Sequence, residues 1–298
     1  MKKTQILMIN DKNILNDLYR NHLLKLLNKE FIKVFSFGLF DKKSSLIILI
    51  LKILNPKVIV VSSNLKSNFF SLFFFWKKGI LILNGMGRYR KKNLLRLILL
   101  TLFKLNWKKV YIVQSYADYR FLKLYSQNKY YWVPGSGGTE KKIGNKNNFI
   151  FIQRDNKILT VYKSICEFLD IAKNIDASIV GCNNKKNLEV LFKGYKVNFI
   201  NYKKSKDIFL EGKSFVQPSG YGEGFPHSLS DAIVSGLDIY INNKEYLRYG
   251  LYILGGKKKK FSKNWSILTN TSQVSKQISS NVITNKYFNI INEYANVN

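Results

Sequence analysis

At 298 residues the chain has room for two domains of about 150 residues each, and with 46% hydrophobic residues it can fill packed cores rather than stay disordered. Lys and Arg number 49 against 18 Asp and Glu, a formal charge of +31, so the surface is drawn to polyanions: phosphorylated substrates, an anionic bilayer or nucleic acid. No uncharged apolar run reaches the roughly 18 residues that span a bilayer, which argues against membrane-spanning helices.

Short apolar runs alternate with longer amphipathic ones, the pattern of an α/β protein with parallel strands. The apolar part of the opening Met-Lys-Lys-Thr-Gln-Ile-Leu-Met-Ile-Asn-Asp is too short for a signal peptide. Asn10-Asp11-Lys12 ends it where a cleavage region would begin, so it reads as a buried first strand. Strands are predicted at 5–9, 31–35, 58–62, 79–83 and 109–113, with helices at 14–28, 46–54, 93–105 and 117–124. His22 falls inside a helix and reads as packing. Phe69-Phe-Ser-Leu-Phe-Phe-Phe-Trp-Lys-Lys78 and residues 91–109 combine apolar stretches with cationic ends. Such segments suit the headgroup region of an anionic membrane, and would also serve as core helices. Val133-Pro-Gly-Ser-Gly-Gly138 then breaks the periodicity, and a polar, basic connector follows at 141–148. The boundary is placed at 145, giving domains 1–145 and 146–298.

The second half restarts with a strand at 148–153, a helix at 161–173 and a strand at 177–180 ending in Gly181. A short helix at 188–193, a strand at 197–200, a short helix at 206–211 and a strand at 214–217 follow. Cys166 and Cys182 show no metal-ligand spacing and read as thiols in a reducing compartment. Residues 215–240 are the most informative stretch. Gly220, Gly222 and Gly224 allow a sharply turning loop. Pro226 suits a first helical turn. Leu229, Ala232, Ile233 and Gly236 then fall at i, i+3, i+4 and i+7, a stripe that can lie on a sheet. Gly236 closes the helix and the next strand begins at 239–241. A helix N-terminus behind a glycine loop can hold an anion. Glu223 sits at its mouth, and Asp231 follows on the side away from the apolar stripe. Beyond, 255–260 reads as a solvated lysine loop and 285–295 as a terminal helix.

Taken in order, Pro218-Ser219, Glu223-Gly-Phe-Pro226, Asp231 and Ser235-Gly236 resemble the signature of family 4 glycosyltransferases. These are α/β enzymes of the GT-B type, with two Rossmann-like domains facing a cleft, that transfer sugar from a nucleotide-sugar donor. Asp231 stands where the family usually carries a second Glu. Tyr131-Trp-Val-Pro-Gly-Ser-Gly137 resembles the family's approach to its linker, and Ser178-Ile-Val-Gly181 the strand below the donor pocket. Val197-Asn-Phe-Ile-Asn-Tyr202 resembles the strand and turn that meet the nucleobase. Asn84-Gly-Met-Gly87 resembles a Gly-rich loop of members with lipid-linked acceptors. The resemblance is strong over 177–240 and moderate over 79–160. Two family features are missing: a glycine pair after the first strand, where Asn10-Asp11-Lys12-Asn13 stands, and a His at Ser62-Ser63-Asn64.

The resemblance implies an acceptor-side N-terminal domain and a donor-binding C-terminal one. Arg154 and Lys157, spaced slightly tighter than in the family, would hold the leaving diphosphate. Gly181 and Tyr202 would border the donor. Gly224, Phe225, Pro226, His227 and Ser228 would turn amides and a helix end toward phosphate or sugar oxygens. Glu223 is the acid most directly tied to catalysis, stabilising charge that develops on the sugar ring, and Asp231 would reach the ribose hydroxyls. No Asp-x-Asp pair occurs, so metal-free chemistry is expected, with no cofactor, and the family retains anomeric configuration. The expected function is transfer to a lipid-linked or polysaccharide acceptor in bacterial surface glycan synthesis, from the cytoplasmic face of the cell membrane, with an anionic membrane surface as peripheral partner. The alternative is a catalytically degenerate partner subunit, for which Asp231 and the missing N-terminal glycines speak. No nucleic-acid-binding motif occurs, so nucleic acid is not an expected partner.

Overall fold

The computed structural model describes residues 4–31, 33–42, 45–87, 92–173, 175–202, 205–220 and 222–296. Parts of three sequence expectations lie outside them: Ile32 in the 31–35 strand, Lys91 of the 91–109 segment, and Tyr221 of the signature. The chain divides into two units. The first comprises Met1–Ser136, Glu223–Phe225 and Ser280–Asn298, the second Gly137–Gly222 and Pro226–Ser279.

The first unit alternates strand and helix: β1 Gln5–Asn10, α1 Asn13–Glu30, β2 Lys33–Gly38, α2 Leu46–Leu54, β3 Val58–Ser63, α3 Leu65–Leu72 and β4 Gly79–Leu83. After β4 come α4 Asn93–Leu105, β5 Lys109–Val113, α5 Tyr116–Tyr125 and β6 Lys129–Trp132. The six strands are parallel in the order β2-β1-β3-β4-β5-β6. The four inner strands β1, β3, β4 and β5 are buried on both faces because both are covered, whereas the edge strand β2 is only partly buried. Ile6, Met8, Ile59, Val61, Ile80 and Ile82 pack with Leu23 and Leu27 of α1. Their alternates Leu7, Ile9, Val58 and Val60 meet Leu49 and Ile53 of α2. Leu81, Leu83, Tyr111 and Val113 meet Leu99 and Phe103 of α4. Helices α2 to α5 therefore share the face opposite α1, as right-handed crossovers require.

The second unit contains β7 Phe149–Ile152, α6 Asp155–Ile171, β8 Ala177–Val180, α7 Lys185–Leu191, β9 Val197–Ile200 and β10 Ser214–Gln217. It continues with α8 His227–Ser235, β11 Asp238–Asn242, α9 Asn243–Tyr249, β12 Lys257–Lys260, β13 Trp265–Thr269 and α10 Thr271–Ile278. Its sheet runs β12-β13-β11-β10-β7-β8-β9, with five parallel strands and an antiparallel pair at one edge. That pair corrects the sequence reading, which made 255–260 a loop. Four consecutive exposed lysines form the edge strand instead, because β13 supplies backbone partners, and their charges discourage further strand pairing. The helix expected at 206–211 is reduced to the 3₁₀ turn Ser205–Asp207.

The last helix, α11 Ser280–Asn296, lies in the first unit. Ile283, Tyr287, Ile290 and Ile291 join the cluster around Ile6 and Met8. Residues 137–145, assigned by sequence to the first domain, sit with the second unit, and 280–298, assigned to the second, sit with the first. Local periodicity identifies this helix but not the sheet that takes its apolar stripe.

Candidate functional site

Ligands of open α/β sheets gather beyond the carboxyl ends of the strands, where strand order reverses. In the second sheet that point lies between β7 and β10, since β8 and β9 extend one way from β7 and β10 and β11 the other. Arg154, Gly181 and Tyr202 lie just beyond β7, β8 and β9, and line one cavity of about 340 Å³ together with Asp155, Asn156 and Asn183. Three residues predicted from sequence thus converge. Gly181 has φ +103°, and a Cβ there would stand 2.6 Å from Gln153 O. Its N–H donates to Ile200 O at 2.9 Å, tying the cavity floor to β9.

Asp155, which the sequence reading did not single out, opens α6 and accepts from the backbone N–H of Asn183 at 3.1 and 3.0 Å and of Asn184 at 3.4 Å. This carboxylate holds the β8–α7 loop against the start of α6. The sequence reading begins this helix at 161, six residues late, and so does not show Asp155 as an acid in a first helical turn. Arg154, the N-cap of α6, is exposed, and Lys157 is half-buried one turn on, its N–H donating to Arg154 O at 2.9 Å. Cys182 lies fully buried, its Sγ 3.6 Å from Gln153 O. Burial and the nearby Asp155 carboxylate push its thiol up to about 12, so it remains protonated and unreactive at neutral pH.

The signature loop begins against α6. Ser219 N–H donates to Ser164 Oγ at 3.0 Å, and a Cβ on Gly220 (φ +137°) would collide with Thr160 O. Pro226 is the N-cap of α8 rather than its first helical residue, with extended ψ 138°. His227 and Ser228 form the half-buried first turn. Leu229, Ala232 and Ile233 are buried as the stripe requires, and Gly236 closes the helix at φ +83°.

Asp231 departs from expectation. It is only 1% exposed, and its Oδ1 accepts from Thr139 N–H at 2.8 Å and Thr139 Oγ1 at 3.3 Å. Its Oδ2 lies 3.7 Å from Lys141 Nζ and 3.6 Å from His227 Nε2. The side of α8 away from the sheet is covered by residues 138–141, and Asp231 anchors that segment. Helical periodicity locates the polar side but not the chain that lies across it.

Glu223–Phe225 belong to the first unit. Glu223 is exposed, whereas Gly224 and Phe225 are buried and Gly224 N–H donates to Asn84 O. These three residues are not among those lining the cavity. The positions where the family's glycines and His are missing are filled by a mutual hydrogen-bond cluster. Asn10 Nδ2 donates to Asn16 Oδ1 and Ser63 Oγ, both at 3.0 Å, and Asn64 Nδ2 donates to Asn10 Oδ1 at 2.5 Å. Asp11 Oδ1 accepts from Ser67 N–H at 2.9 Å and Ser67 Oγ at 2.7 Å.

No family model and no curated protein matches this chain. Solved structures do. Anabaena Alr3699/HepE in complex with UDP matches with TM-score 0.63 and 11% identity, over 97% of this chain and all of that one. A UDP-glucosyltransferase from Polygonum tinctorium matches with TM-score 0.51 and 8% identity, over 98% of both chains. TarM matches with TM-score 0.50 and 12% identity, over 80% of this chain and 51% of its own. At such identities the likeness speaks to fold: the chain consists of two parallel-sheet Rossmann-like domains of the GT-B type found in glycosyltransferases.

Proposed function

We propose that the protein is a glycosyltransferase that takes a sugar from a nucleotide-sugar donor, in the manner of family 4. The observation that carries this reading is the cavity at the reversal point of the second sheet, bordered by Arg154, Gly181 and Tyr202, in a fold shared with a protein solved with UDP. In this reading Tyr202 and Asn183 meet the nucleoside, and Arg154 and Lys157 hold the diphosphate. The start of α8 adds the fixed positive potential of a helix N-terminus. As the anomeric C–O bond breaks, its electron pair passes to the diphosphate, so these cations act most strongly in the transition state. Glu223 is assigned to the sugar, stabilising the charge that develops on its ring. Asp231, tied to Thr139, Lys141 and His227, positions the helix.

The chemistry is retaining and metal-independent, and the acceptor is a lipid-linked or polysaccharide chain of bacterial surface glycan synthesis. The enzyme works on the cytoplasmic face of the membrane as a peripheral protein. No helix among the described residues is long and apolar enough to cross a membrane.

A thermal-shift panel of UDP-, GDP- and other nucleotide sugars tests donor binding. One donor at a hundred times its Kd should stabilise the protein by about 2.7 kcal/mol. Arg154→Ala should abolish the shift, and Glu223→Gln should keep it while lowering transfer at least about a hundredfold. A protein inert to every nucleotide sugar would overturn the reading. One that binds a donor yet transfers nothing as wild type would favour the degenerate subunit.

A further inference from the structure

Helices α2 and α4 bury one side against the first sheet, through Leu49 and Ile53 and through Leu99 and Phe103. Their outer sides ought to be polar but are largely apolar. On α2, Ile47, Leu51 and Leu54 form an exposed stripe at i, i+4 and i+7, Ile47 being 72% exposed. On α4, Leu94, Leu97 and Leu105, at i, i+3 and i+11, are exposed along one side, Leu97 being 64% exposed. A helix apolar all round belongs in a covered environment. The turns into β4 and β5 carry Phe73, Trp76 and Trp107, all exposed.

The surroundings of this face say what covers it. From Lys42 to Ala117 the chain has twelve lysines, three arginines and no acidic residue. Exposed Lys57, Lys78, Lys92, Lys104 and Lys108 border the apolar helices and their turns. The aromatic turn is held firmly: Lys109 Nζ donates to Phe74 O at 2.7 Å and Lys77 Nζ to Asn55 O at 2.5 Å. Apolar helix faces, indole rings at their ends and a cationic rim match a bilayer interface with anionic headgroups. A second copy of this chain would set one lysine rim against another, which charge repulsion opposes.

We infer that the outer face of α2 and α4, with the Phe73–Trp76 and Trp107 turns, is the surface by which this protein docks on an anionic lipid bilayer. The inference rests on the membrane placement proposed above but not on the sugar chemistry. The sequence pointed to 69–78 and 91–109, and the fold adds α2, whose exposed stripe only the sheet arrangement reveals.

The test is co-sedimentation of the full chain with phosphatidylcholine vesicles, with and without phosphatidylglycerol. The wild type should partition onto the anionic vesicles alone, with Trp76 and Trp107 emission shifting to the blue. Ile47→Gln/Leu51→Gln/Leu54→Gln on α2, and separately Leu94→Gln/Leu97→Gln on α4, should each weaken partitioning about tenfold or more. Lys258→Gln/Lys259→Gln on the lysine edge strand should leave it near wild type. Nucleotide-sugar thermal shifts run in parallel reveal whether a variant is folded, and separate loss of docking from loss of donor binding. The proposal fails if the wild type ignores anionic vesicles, or if the edge-strand variant loses as much as the helix variants. It also fails if the helix variants instead abolish a concentration-dependent dimer seen by analytical ultracentrifugation.

Discussion

Asp231 shows how a residue matching a motif in order can do other work in the fold. Its carboxylate is buried with a backbone N–H, a hydroxyl, the Lys141 amine and the His227 imidazole around it. Asp231→Ala should therefore lower stability by about 1–3 kcal/mol, read as a fall in the urea midpoint, because Thr139 N–H would be left unsatisfied. An unchanged midpoint would show that the acid serves only a ligand. Lys109 offers a second residue-scale test. It is 1% exposed at the start of β5, and burial pulls its amine down from 10.5 to about 7. Between those values the unfolded chain holds a proton that the folded chain lacks, so stability rises with pH by at most about 1.4 kcal/mol per unit. Below pH 7 both states are protonated and the gain is absent. The melting temperature of the wild type should climb from pH 7 to 9 relative to Lys109→Met, and parallel profiles would refute the assignment.

Among the elements, α11 carries the largest structural consequence. Tyr287 is buried, its OH donating to Gly135 O at 2.8 Å and accepting from Gln114 Nε2 at 3.0 Å, with the Arg20 guanidinium 4.3 Å from its ring centre. Tyr287→Phe should cost about 1–2 kcal/mol by losing both bonds. Ending the chain at Ser279 is far more severe. Each buried aliphatic such as Ile283 or Ile291 contributes about 1.5–3 kcal/mol, and a domain has only about 5–15 kcal/mol in all. A protein truncated there should lose cooperative unfolding of the first unit, as hydrogen exchange would register in β1 and β3. Retained protection in those strands would show that α11 merely rests on the sheet.

For the whole molecule, the contrast is between what is local and what is assembled. Composition, the alternation of apolar runs and the glycine signature were enough to define two Rossmann-like domains, because each depends on neighbours within a few residues. Arg154, Gly181 and Tyr202, singled out by the family resemblance, line one cavity because each follows a strand and parallel strands bring their carboxyl ends together. Other features were not legible. The antiparallel partner of the four-lysine strand, the segment lying over Asp231, the Asp155 cap on the loop after β8 and the return of α11 to the first sheet all join residues distant in sequence. The exposed stripe of α2 belongs with them, since an apolar nonamer looks like core until the sheet covers only one of its sides. Hydrophobic period and backbone stereochemistry act along the chain, and they determined the elements and the ends at which ligands collect. Which face is buried, and which acid is engaged or exposed, depends on packing between segments far apart in sequence, and only the tertiary structure decided it.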